Sequence, residues 1–182
     1  PSSGLALAVV LLFGKPIWPG IALGSFLINY FVIDLELPFV VATIIGLGAG
    51  LQALFGRAIL SRCKTFEPAF IDEQSVVTFI LFGGIVSSLV SATVACSALY
   101  ASELMPFNKI LSNWMVWWLG DTFGVLLVTP IIISLFSYQS DSWKGRVLIV
   151  NLSFLIMLAL TAFVFSMSRN QEIQRLNNML SQ

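Results

Sequence analysis

Residues Trp114 to Pro130 read WMVWWLGDTFGVLLVTP, and this stretch decides the fold. It lies inside an apolar run of membrane-spanning length, yet it carries an acid, Asp121, flanked by Trp117, Trp118, Gly120 and Gly124. A carboxylate midway across a bilayer costs roughly 2.5 to 3.5 kcal/mol on insertion scales, so something must compensate it. Asp121 is therefore the first functional candidate.

The rest of the chain supports a membrane reading. Its 182 residues are 58% hydrophobic and 10% charged, with a mean hydropathy of +0.94, well outside the range of a soluble domain. No polar stretch is long enough for a separate catalytic domain, so an enzyme activity would have to lie elsewhere. Nine basic and nine acidic residues cancel, which gives nucleic acid no general attraction. The chain has no histidine, which excludes a phosphoacceptor histidine, His-ligated haem or zinc, and a Ser-His-Asp triad. Cys63 and Cys96 are too far apart in sequence for a metal motif and read as small packing residues. No cofactor or metal is called for. The chain opens on Pro1 without a charged n-region and reads as a fragment starting in or just before a helix.

Hydropathy divides the chain into six spans of an all-α transmembrane bundle. The first, Leu5 to Phe13, is shorter than a bilayer requires and is read as truncated. Ile17 to Ile33 follows, opened by Trp18, Pro19 and Gly20, with Trp suited to the interface and Pro to a first helical turn. Pro38 opens Phe39 to Ser61, in which Gly46 and Gly50 predict a close helix crossing and Arg57 is expected to snorkel towards headgroups. Ser75 to Tyr100 carries two ridges of small residues, Gly84–Ser88–Ala92 and Gly83–Ser87–Ser91, and is expected to be central. Trp114 to Phe136 is the fifth span, with Pro130 placed to kink it or free a carbonyl. Val147 to Met167 is the sixth. Residues 1–167 thus form one membrane domain, and 168–182 begin a polar helix leading onward.

Lys15, Arg57, Arg62, Lys64, Lys144 and Arg146 fall on one side of these spans, against Lys109, Arg169 and Arg175 on the other. The excess puts the first set in the cytoplasm and the segment after Met167 outside. Either an extracytoplasmic domain or a further transmembrane helix then follows, or the charge rule fails for this chain.

Three stretches, PSSGLALAVVLLFGKPIWPGIALGSFLIN, SATVACSAL and WWLGDTFGVLLVTP, together resemble the first-described type of MASE domain, a bacterial membrane-associated sensor family. The resemblance covers most of Pro1 to Met167. It implies a polytopic input domain of seven or eight helices in the bacterial inner membrane, at the N-terminus of sensor histidine kinases or of enzymes of cyclic-di-GMP turnover. The family's Trp-Pro-Gly corresponds to Trp18, Pro19 and Gly20, and its Trp-Trp-x-Gly-Asp to Trp117, Trp118, Gly120 and Asp121. Where the family often has Gly-Asn-Thr-Leu-Glu, this chain reads Gly48, Ala49, Gly50, Leu51, Gln52. That departure leaves Asp121 as the sole intramembrane carboxylate.

Three functions stay open on this reading. A sensor would detect a small molecule or membrane partner through Asp121, Trp117, Trp118, Gln52 and Asn29, with Ser25 nearby, and pair as a homodimer through the downstream helix. A transporter or its substrate-binding component is the alternative, although no repeat or second intramembrane charge is visible. A plain anchor is the third, with Asp121 acting only as a latch between helices.

Overall fold

A glycine sets the end of the first helix. α1 (Ser2–Phe13) stops at Gly14, whose φ of 98° is left-handed and costs glycine no Cβ clash. The carbonyls freed at that end accept hydrogen bonds from elsewhere in the chain. Arg57 Nη1 donates to the carbonyls of Val10 and Leu11, so this guanidinium caps α1 instead of extending to headgroups as its sequence position suggests.

These features belong to a computed structural model in which residues 2–32, 37–63 and 73–136 are described; every regular element among them is helical. α2 (Trp18–Leu27) has Pro19 in its first turn and continues as a π-helical segment, Ile28–Val32. The expected span Ile17 to Ile33 is thus split in hydrogen-bond register. Its described helical part, Trp18–Leu27 with Ile28–Val32, is about 22 Å long, short of a hydrocarbon core of about 30 Å. α3 (Phe39–Leu60) follows Pro38. A continuous rod then runs from α4 (Glu73–Thr78) through a π-helical segment (Phe79–Val86) into α5 (Ser87–Ala101). A 3-10 turn (Phe107–Lys109) leads to α6 (Ile110–Phe136), which begins four residues before the expected Trp114 and contains Pro130 without ending there.

Of the six expected spans, three (Phe39–Leu60, Glu73–Ala101 and Phe107–Phe136) are long and apolar enough to cross a membrane. The first two are shorter. The sixth, Val147 to Met167, and the segment 168–182 lie outside the described residues.

Large apolar side chains such as Leu7, Ile45, Leu60 and Ile133 are buried, but many others face outward and the tight helix contacts are made by small residues. On α3, Val40, Ile44, Leu47, Leu51 and Phe55 form an exposed apolar stripe, whereas Gly46, Gly48, Gly50, Gln52, Ala53 and Gly56 are buried. Ser75, Ser87, Ser88, Ser91 and Thr129 are likewise inside. Large apolar side chains outside and small or hydroxylated ones inside are what lipid selects, because helices gain little there from burying leucine and much from close approach.

The crossings are correspondingly tight. A Cβ on Gly46 would lie 2.6 Å from the Ala22 carbonyl oxygen, and one on Gly50 would lie 3.2 Å from the Trp18 ring, so this pair seats α2 on α3. Gly48 meets Val94 and Gly56 meets Ser87, which seats α3 on the rod containing α5. Gly84 meets Leu126 of α6. Both small-residue ridges read from the sequence are buried, and the rod they belong to touches α3 and α6. The closest approach has no counterpart in the sequence reading: a Cβ on Gly4 would lie 1.9 Å from the Gly124 carbonyl oxygen. At the other end of the same pair, Phe13 and Phe136 meet edge to face at 5.8 Å, so α1 and α6 run side by side in the same sense.

Candidate functional site: a cavity between α1, α2, α3 and α6

α2 leans on α3 and barely touches α1, which is itself held on α6 and α3. The wedge this leaves is a cavity of about 440 Å³. Its walls are largely apolar (Val9, Ile17, Ile21 and Ile45 among them), and its polar groups are Ser2, Ser3, Ser25, Asn29, Gln52, Ser91 and Asp121.

Each polar group reaches the cavity for a local reason. Asp121 stands about 16 Å along α6 from Ile110, close to the helix midpoint, with Trp117 one turn earlier on the same face. The Ser3 hydroxyl donates to the Asp121 carbonyl oxygen at 3.1 Å. The hydroxyls of Ser91 and Ser3 also face the Asp121 carboxyl group, yet its Oδ2 is buried without a protein hydrogen-bond partner. Gln52, 3% exposed, donates from Nε2 to Ser88 Oγ at 3.2 Å and so ties α3 to α5. Asn29 lies in the π-helical segment and donates to the Ser25 carbonyl at 2.8 Å. π-helical turns recur at functional sites because they re-aim side chains and loosen the carbonyl ladder.

Asp121, Trp117, Gln52, Asn29 and Ser25, which stand on three of the expected spans, thus line one cavity. Trp118 does not. Its indole donates to the Ile85 carbonyl at 2.9 Å and stacks on Trp114 at 5.8 Å, on the side of the π-helical segment. Both tryptophans lie within one turn of Asp121, on either side of it around the helix, and only Trp117 reaches the cavity. Gly20 is exposed and lines the cavity, Gly120 is exposed with open space around it, and Gly124 lies under Gly4. Trp18 packs on Gly50. Thr129, beside Pro130, donates to the Gly4 carbonyl at 2.8 Å.

Ser3, Ser91 and Gly24 also line the cavity, and sequence reasoning misses all three. Ser91 belongs to a ridge whose other members only pack, and nothing in its spacing distinguishes it. Gly20 and Gly24 do carry a usable contrast. A Cβ on either would meet nothing within 4 Å, unlike the crossing glycines.

A bundle with a polar-studded cavity at membrane depth is the architecture of an integral membrane binding or sensing domain, and no His, Cys, Asp and Glu cluster for a metal occurs among its described residues. The chain matches the MASE1 family over residues 1–175 and belongs to it. That family is one of membrane-associated sensory domains and is not catalytic, as the resemblance implied. No curated protein and no solved structure matches the chain.

Proposed function

We propose that this domain is the sensory input of a bacterial inner-membrane signalling protein and that the cavity at Asp121 is where it receives its signal. The observation that carries the reading is Asp121 Oδ2, buried at the wall of an otherwise mainly apolar cavity with no protein donor. A ligand that supplies the missing partner gains an interaction whose strength depends on how α1 lies on α6, because Ser3 and Gly4 of α1 are bonded to Asp121 and Thr129. Differential affinity of a few kcal/mol between two α1–α6 arrangements is enough to bias a two-state bundle.

The output module would be a histidine kinase or an enzyme of cyclic-di-GMP turnover, downstream in the full-length protein and paired as a dimer through the helix after Met167. Lys15 follows Gly14, beside which Arg57 lies, so these two bases share one end of the bundle; the charge count makes that end cytoplasmic and the cavity's Ser2 end outer. The test is signalling output from full-length Asp121→Asn and Asp121→Ala variants that still insert. The expected outcome is loss or locking of the response in both; a wild-type response in both would eliminate the site.

A further inference from the structure

The cavity's chemistry narrows what it takes. Among the described lining residues Asp121 is the one charged group, and no base accompanies it. Arg57, the base within α3, is engaged by the carbonyls of Val10 and Leu11. The remaining bases of the chain fall at helix ends or in polar connections by sequence. The carboxyl group is faced by the Ser91 and Ser3 hydroxyls, and no Lys or Arg side chain lines the cavity among the described residues. Trp117 on the same wall offers an indole, the aromatic ring best suited to a cation. One carboxylate does not make the oxygen cage of a divalent metal ion, and the cavity, about 440 Å³ with mostly apolar walls, is sized for an organic molecule.

Access points the same way. The cavity is partly open, and Leu5 of α1 and Ile28 of the π-helical segment, both of which line it, are 51% and 45% exposed. Gly20 and Gly24, one turn apart on α2, edge the cavity with open space where a Cβ would stand.

Building on the signal-site reading above, we infer that the cavity binds a monocationic amphiphile. Its ammonium head lies against Asp121 and Trp117, and its hydrocarbon tail runs along Val9, Ile17 and Ile21 towards the opening.

The test uses the full-length protein in nanodiscs of zwitterionic lipid, with binding to empty nanodiscs subtracted. The probes are octylamine, octyltrimethylammonium, octanol and octanoate, which share a tail and differ in head charge. The wild type should bind both cations at least tenfold more tightly than octanol, and octanoate most weakly. Asp121→Asn, which keeps the side-chain shape, should bring both cations down to the octanol level while leaving octanol unchanged. Gly24→Leu should weaken all the probes that bind. Octanol matching the cations in the wild type, cation preference surviving Asp121→Asn, or cation binding indifferent to Gly24→Leu would each overturn the ligand class. Signalling separates this from the broader reading. If cations bind as described but Asp121→Asn and Gly24→Leu signal like the wild type, the site is real and is not the signal site.

Discussion

The α1–α6 crossing and the α1–α2 wedge use glycine for opposite ends. At Gly4 the backbone of one helix rests against the Gly124 carbonyl of the other, with Ser3 and Thr129 bonding across the same contact. At Gly20 and Gly24 nothing approaches the missing Cβ. In the first region glycine permits contact; in the second it keeps a space open. Both regions share α1, so a ligand in the proposed site would bear on the helix that the tight crossing holds.

Substitutions that fill each kind of space should separate them sharply. Gly4→Leu has the largest expected effect. Its Cβ has no room against a backbone oxygen, so α1 must leave α6, with a destabilisation above about 4 kcal/mol or no folded protein at all. Size-exclusion profile and protease resistance in detergent report it. Gln52→Leu is a smaller change. It removes the Gln52–Ser88 bond inside the bundle, and such bonds average about 0.6 kcal/mol in membrane proteins, readable as a modest fall in Tm. Gly24→Leu is smallest in stability, within about 0.5 kcal/mol of wild type, since its side chain enters the cavity without displacing a neighbour. A marked loss of stability in Gly24→Leu would show the wedge to be packed, and the contrast between the regions would fail.

The same contrast explains what is legible in the sequence. Small residues four apart in an apolar helix have one economical explanation, close approach, so spacing alone places Gly46 with Gly50 and the ridges through Gly83 and Gly84 at crossings. Polar residues stranded in apolar spans stand out likewise, and Asp121, Trp117, Gln52 and Asn29 share a cavity. What is not legible depends on register and on partners far along the chain. A π-helical segment at Ile28–Val32 or Phe79–Val86 is a shift of one residue in hydrogen bonding that composition does not encode. Which of Trp117 and Trp118 turns towards the cavity depends on the absolute rotation of α6. The depth of Arg57 in its span points to headgroups, but the carbonyls it caps belong to a helix more than forty residues earlier. Gly4 stands in a stretch too short to read as a full span, and nothing in that stretch points to a partner in α6.

The central claim is that the wedge at Asp121 receives the signal, and Gly24→Leu tests it most directly because it fills the wedge while sparing the crossings. Full-length protein carrying this substitution, inserted and as stable as the wild type, should give signalling output that no longer responds to the stimulus. A wild-type response with the cavity filled would contradict the account.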